Sequence, residues 1–372
     1  MLQVAKGLAG VVVGDTALSH VDGENGRLIY HGYEIADLAN GASFEEVAYL
    51  LWYGELPTRG ELDSLRKRLA EHRTLSEPVL AVIRALPATA EPMNVLRTAV
   101  SALGAAAGIA GEPDVEQSIL LTAAFPTIIA AYERQRRGLA FVPPRYDLGH
   151  AANFLYMLSG ETPSEQRTRA LDTYLILTAD HGFNASTFTA RVIASTRSDL
   201  CSAITGVLGA LKGPLHGGAP AYVLEMLREI GTPENAEAWL NARMEQHEPV
   251  MGFGHRVYKA EDPRARVLRT LAERSSEIEF FRLSTHVEDV ALRVLNERHP
   301  GARIYTNVEF WAASVLYGVE LPEDLFTPAF AVSRVAGWTA SVLEQMRDNR
   351  LIRPGVEYVG PDHLEFVPLD ER

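Results

Sequence analysis

From Ser43 to Arg347 the chain repeats one pattern, apolar residues at helical spacing broken at short intervals by Gly and Pro. That spacing gathers apolar side chains on one face of an α-helix; a strand alternates its faces with period two and cannot use it. Ser43-Phe44-Glu45-Glu46 is a capping box, in which hydroxyl and carboxylate each satisfy an early backbone N–H. Phe44, Val47, Ala48 and Leu51 follow at helical spacing, and Gly54 and Pro57 stop the run. Thr58-Arg59-Gly60-Glu61 repeats the box before Leu62, Leu65 and Leu69. Further helices are predicted over 77–85, 92–108, 115–137, 147–158, 164–181, 185–194, 199–211, 218–229, 234–246, 262–274, 286–298, 308–318 and 328–347. Strand signals are few. The clearest lies in 16–35, where Asp22-Gly23 and Asn25-Gly26 turn a short hairpin. With no β–α alternation, internal repeat or low-complexity tract, the expected fold is all-α. The helices over 92–108, 199–211 and 328–347 are apolar nearly all round, which places them centrally or at a subunit interface.

Length and composition narrow the function. A chain of 372 residues suffices for two domains. Hydrophobic residues make up 47%, which excludes disorder. The formal charge of −13 argues against a nucleic-acid binder driven by bulk charge. Cys201 is the one cysteine, so a disulfide scaffold is excluded. No uncharged apolar run approaches the ~18 residues of a membrane span. The N-terminal residues lack the basic and apolar regions of a signal peptide, and a reducing cytoplasm is the expected setting.

Three segments embed a histidine among backbone-permissive residues. His181 lies in Ala179-Asp180-His181-Gly182-Phe183-Asn184, at the junction of two apolar helices, with Asn184 or Ser186 as the next N-cap. His216 lies in Gly213-Pro214-Leu215-His216-Gly217-Gly218, a run that cannot continue a helix and reads as a bend and hinge. His255 lies in Met251-Gly252-Phe253-Gly254-His255-Arg256-Val257-Tyr258-Lys259. Glycines beside a histidine let a ligand approach the main chain. A single histidine is more often solvated or internally satisfied than catalytic; three in such breaks shift that balance. Nothing local argues for a metal, since neither an H-E-x-x-H pattern nor a paired-cysteine ligand set is present. Gly252-Phe253-Gly254 resembles half of a dinucleotide fingerprint but lacks the third glycine and a preceding strand.

From His255 to Arg269, Arg256, Lys259, Arg264, Arg266 and Arg269 face only Glu261 and Asp262. In an acidic protein this reads as an anion site for phosphates or small carboxylates, against the alternative of a solvated basic helix face. Glu309 precedes an apolar helix between Asn307 and Phe310-Trp311; it is either dipole compensation or a desolvated base of raised pKa. Arg334 stands alone in the apolar run 330–338, so a ligand carboxylate or a buried acid must meet it. Arg353, in the C-terminal tail, says little by itself.

At these segments the chain resembles the citrate synthase family. The likeness covers nearly the whole sequence, through Gly26–Ile35, Pro92–Val100, His181–Ala190, Gly213–Gly218, Met251–Lys259 with Asp262-Pro263-Arg264, Asn307-Val308-Glu309 and Ser333-Arg334, in order. The resemblance implies an all-helical homodimer of the short bacterial and archaeal form. A large domain, 1–216 with 322–372, would hold the chain ends, and a small domain, 217–321, would close over the substrates. It implies that His181 binds oxaloacetate, His216 hydrogen-bonds the acetyl-CoA thioester carbonyl and His255 polarises the ketone. Arg264 and Arg334, with Arg353 of a partner subunit, would clamp the carboxylates. Gly252 and Phe253 would lie against the CoA adenine and Lys259 near its phosphates. No metal or other cofactor is implied beyond coenzyme A as substrate.

The catalytic base of the family is generally Asp, and here Glu309 stands in its place. One methylene extends the carboxylate by roughly 1.5 Å, and a misplacement of about 1 Å can cost on the order of 10²-fold in rate. The reading keeps Glu309 as base. Propionyl-CoA as the acyl donor (2-methylcitrate synthesis), a catalytically weak regulatory paralogue and a metal-dependent hydrolase remain as alternatives.

Overall fold

The computed structural model describes residues 4–8, 10–217, 219–255, 257–275 and 277–372; Gly218 and Arg256, both in motifs above, lie outside the described residues. The expected hairpin is present and anchors one antiparallel three-stranded sheet of β1 (Ser19–Asp22), β2 (Arg27–Tyr30) and β3 (Tyr33–Glu34), in that order. Ser19 pairs with Tyr30 and Asp22 with Arg27. The Asp22 carboxylate closes the turn by accepting from the Asn25 backbone N–H at 3.1 Å and its side-chain amide at 2.7 Å. Leu18, Leu28 and Tyr30 are buried, so the hairpin is rooted in the core rather than standing free.

The first helical body comprises α1 (Ile35–Gly41), α2 (Phe44–Tyr53), α3 (Arg59–His72), α4 (Glu77–Ala85), α5 (Pro92–Ala106), α6 (Val115–Arg136), α7 (His150–Ser159), α8 (Glu165–Thr178), α9 (Ala185–Ser195) and α10 (Leu200–Leu211). Both capping boxes form as read, with reciprocal bonds at Ser43/Glu46 and Thr58/Glu61. A second group follows: α11 (Ala219–Ile230), α12 (Ala236–Glu245), α13 (Pro263–Ser275), α14 (Ile278–Arg298) and α15 (Val308–Gly318). Within it α15 packs on α11 and α13, and α12 on α14. The chain then returns through α16 (Phe326–Arg347), which packs against α2, α5, α6, α8, α9, α10 and α11. The helix read as apolar all round is therefore the axis of the larger body, with Arg334 and Trp338 fully enclosed. α8 touches both groups, meeting α13 and α15 across the cleft.

Three elements differ from expectation. α14 begins at Ile278, about two turns before the predicted 286. Its aromatic first turn is a poor helix former, but tertiary packing holds it: Phe280 lies 4.5 Å from the Tyr317 ring and Phe281 5.7 Å from Trp311. α1 was not anticipated, since it is short and no side chain caps it; burial of Ile35, Leu38 and Ala39 forms it. α8 ends at Thr178, leaving His181 in a turn outside the helix. Among the described residues one helix, Val115–Arg136, is long and apolar enough to cross a membrane, and 78% of its apolar window is buried inside the protein.

Candidate active site

The cleft between the two helical groups gathers residues that the sequence keeps far apart. His181 sits in the turn between α8 and α9, where Asn184 rather than Ser186 supplies the N-cap by accepting from the Thr187 N–H at 3.1 Å. Its Nε2 lies 3.2 Å from the Tyr258 hydroxyl, and its ring is 5.7 Å from that of His255. Burial, reinforced by Arg264 and Arg334, holds His181 well below the usual imidazole pKa, so it is neutral.

His255 is fixed by its own loop. Its Nδ1 accepts from the backbone N–H groups of Val257 and Tyr258, both at 3.0 Å. A nitrogen accepting two bonds carries no proton, and burial with Arg264 nearby lowers the pKa to about 4. The neutral ring must therefore hold its proton on Nε2, which makes that atom a donor. The loop is stitched to the start of α15 by Gly254 N–H to the Tyr305 carbonyl at 2.8 Å and Asn307 N–H to the Gly252 carbonyl at 3.0 Å. The Asn307 side-chain amide also donates to the Gly254 carbonyl at 2.9 Å.

That stitching brings Glu309 to the cleft. Asn307 caps α15 by accepting from the Glu309 N–H at 3.1 Å. Glu309 Oε2 is buried with no hydrogen-bond partner among the described residues. Burial raises the carboxyl pKa, opposed by Arg264 and helped by Asp262, so the desolvated-base environment read from the sequence is present.

Arg264 is buried, with its Nε and one terminal nitrogen forked onto Asp262 at 3.0 and 2.8 Å. Asp262 also accepts from the Arg264 N–H at 3.0 Å and the Val308 N–H at 3.2 Å, so one carboxylate ties this arginine to the first turn of α15. Arg334 is equally buried, but its Nε donates to the Thr178 carbonyl at 2.5 Å rather than to an acid. Asp180 is near enough to oppose the lowering of its pKa by burial. No carboxylate lies within ion-pair distance of Arg334 among the described residues, which leaves guanidinium nitrogens for an incoming anion.

His216 occupies the bend after α10, 2.8 Å from Ser186 Oγ through Nε2. Ser186 Oγ accepts from the Trp338 indole N–H at 3.0 Å and donates to Asn184 Oδ1 at 2.8 Å. Burial and Arg334 lower the His216 pKa to about 4. Beside His255 a cavity of about 340 Å3 is lined by Gly254, Tyr258, Lys259, Arg303 and Tyr305, among others.

The remaining candidates separate. Gly252 and Phe253 pack on Phe310: a Cβ on Gly252 would meet that ring at 2.8 Å, and the two phenyl rings lie 5.1 Å apart. Arg266 and Arg269 pair with Glu261 and Glu288, as the basic-face alternative required. Arg353 is exposed in the extended segment after α16. Sequence reasoning missed Tyr258, Asp262 as a clamp, Asp180 and Trp338. A carboxylate adjoining His181 in an apolar stretch was a usable signal for Asp180, because a buried acid needs partners. Among the described residues no three His, Cys, Asp or Glu side chains are grouped to hold a metal ion.

Comparison with known proteins agrees with this geometry. The family model described as citrate synthase, C-terminal domain, matches residues 7–355. The chain is 46% identical to the citrate synthase of Haloferax volcanii, over 100% of this chain and 99% of that one. It is 42% identical to a 2-methylcitrate synthase of Mycobacterium tuberculosis, over 96% of this chain and 91% of that one. It superposes with a TM-score of 0.93 and 33% identity, over 100% of both chains, on the Thermoplasma acidophilum citrate synthase solved as a ternary complex with carboxymethyl coenzyme A and oxaloacetate. The chain belongs to the citrate synthase family.

Proposed function

We propose that this cleft condenses acetyl-CoA with oxaloacetate and hydrolyses the citryl-CoA formed, giving citrate and CoA. The observation that carries the reading is the meeting of His181, His255 with Arg264, Arg334 and Glu309, from four separate segments, where the buried Glu309 Oε2 has no hydrogen-bond partner among the described residues. A thioester methyl is a weak carbon acid, so its proton must leave to a base while a donor holds the developing enolate oxygen. Glu309, its pKa raised by burial, is the base. His216 is the donor. In the resting site the Ser186 proton lies toward Asn184 Oδ1; when the hydroxyl turns it to His216 Nε2, the His216 proton is left on Nδ1 to meet the thioester oxygen.

The enolate then attacks the oxaloacetate ketone, polarised by the Nε2–H of His255. Arg264, Arg334 and Arg353 of a partner subunit neutralise the carboxylates, and His181 adds a hydrogen bond. Water hydrolyses citryl-CoA with the site closed around it. Lys259 and Arg303, lining the adjoining cavity, suit the phosphates of CoA, with the adenine toward Gly252 and Phe253. The small domain in this reading is 217–321, and the large domain is 1–216 with 322–372. The exposed Val356, Tyr358, Val359, Leu364 and Phe366 of the tail support a homodimer that covers them. No metal or further cofactor takes part, and the cytoplasm is the proposed location.

Propionyl-CoA is the second acyl donor to consider, supported by the 42% identity to a 2-methylcitrate synthase. One methylene in an apolar pocket is worth only about 1–3 kcal/mol. Thiol release with oxaloacetate and each acyl-CoA, with and without a chelator, tests the reading. CoA should appear with both chelated and untreated enzyme, and the kcat/KM ratio ranks the two donors. No release above background with either donor refutes it.

A further inference from the structure

The β1–β2 hairpin touches the catalytic cleft at both of its ends. At its base, Ser19 Oγ donates to Asp180 Oδ2 and accepts from the Gly182 N–H at 3.1 Å. Tyr30 accepts from the Asp180 N–H at 3.0 Å and donates to the Asp180 carbonyl at 2.8 Å. Asp180 and Gly182 flank His181, so these bonds hold its turn from both sides. At its tip, the Gly23 carbonyl accepts from the Lys259 N–H at 2.8 Å. The two backbones approach so closely that a Cβ on Gly23 would stand 2.2 Å from the Val257 carbonyl oxygen, and one on Gly26 2.5 Å from the Glu261 carbonyl oxygen. Residues 257–261 lie within the chain that joins His255 to Arg264.

We infer that the hairpin is a positioning element for the reaction: its base orients His181, and its tip is the seat on which the His255–Arg264 segment docks when the small domain closes. The inference rests on the functional reading above, which supplies the closure. A core-rooted hairpin is a rigid spacer, so docking on it sets the separation of the two histidine rings, 5.7 Å in this structure. Any side chain at position 23 holds the segment off, because the obstacle it meets is a backbone carbonyl that no rotamer relieves.

Gly23→Ala is the direct test. Gly23 lies outside the left-handed backbone region, whereas Gly26 has φ +61°, so alanine at 23 leaves the turn unstrained and blocks only the docking. The full-length variant should melt like wild type, with the oxaloacetate KM raised tenfold or more. Oxaloacetate should compact the wild type in small-angle scattering and fail to compact the variant. Ser19→Ala adds no bulk and removes only the bonds at the base; it should raise the oxaloacetate KM several-fold with the acyl-CoA KM unchanged. Wild-type oxaloacetate KM and compaction in Gly23→Ala overturn the seat, and an unchanged oxaloacetate KM in Ser19→Ala overturns the orienting role. Wild type measured alongside separates the two levels. If it releases no CoA, the functional reading falls and takes this inference with it; if it is active and the variants match it, only the inference falls.

Discussion

Replacing Asp262 by Asn isolates one charge at the centre of the cleft. The side chains of Asp262 and Arg264 are 1% and 3% exposed, and the carboxylate accepts four hydrogen bonds, two of them from the guanidinium. Asn is as good an N-cap as Asp, so the first turn of α13 keeps its cap from Asn Oδ1. The amide N–H2, however, replaces an acceptor with a donor facing a cation. Breaking a buried pair by removing one partner costs about 3–5 kcal/mol, because the remaining charge is left desolvated and uncompensated. Asp262→Asn should therefore lose about 3–5 kcal/mol in equilibrium urea unfolding at pH 7. Saturating oxaloacetate should restore more stability to the variant than to wild type, since its carboxylate supplies the missing anion to Arg264. Asp262 also helps to raise the Glu309 pKa. Without it Glu309, the proposed base, titrates lower, so the acid limb of the kcat profile should move to lower pH. A loss under about 1 kcal/mol, together with an unmoved acid limb, would refute the claim that this carboxylate neutralises the arginine and tunes the base.

Arg334→Ala should raise the oxaloacetate KM about ten- to hundredfold, the value of one charge-assisted bond of roughly 1.5–3 kcal/mol, with the acyl-CoA KM little changed; steady-state kinetics read both. Glu309→Asp retracts the carboxylate from a site built for the longer side chain, and kcat should fall on the order of 10²-fold in the thiol-release assay. His150 is buried, and burial pushes its pKa down to about 3. The unfolded chain takes up that proton first, so the stability is present above pH 6.5 and is lost as pH falls toward 3. Between pH 7 and 4.5 this contributes on the order of 2–3 kcal/mol of destabilisation, which His150→Gln should remove from urea titrations at the two pH values. Arg353→Ala and His216→Ala should each be nearly inactive, yet mixed subunits should regain a substantial fraction of activity if Arg353 reaches the partner's site. A demonstrated heterodimer without recovery refutes that sharing.

Local rules alone determined much of this protein. Capping boxes at Ser43 and Thr58, Gly54 as a stop and the helical spacing of apolar residues placed most helices to within a few residues, because each rests on bonds between near neighbours. The glycine-rich settings of His181, His216 and His255 and the lone Arg334 in an apolar run marked the candidate site for the same reason. The first turns of α14 were hidden, since stacking of Phe280 and Phe281 on α15 residues overrides their weak propensity. Only the tertiary structure decided which cations face the cleft. Arg264 and Arg266 lie two residues apart, yet one is enclosed with Asp262 and the other meets Glu261 at the surface. It also decided the proton position on His255, set by two backbone N–H groups, and the seat at Gly23, where two backbones distant in sequence come together. Protonation, desolvation and close approach depend on what surrounds an atom in space, and a linear pattern carries no measure of that.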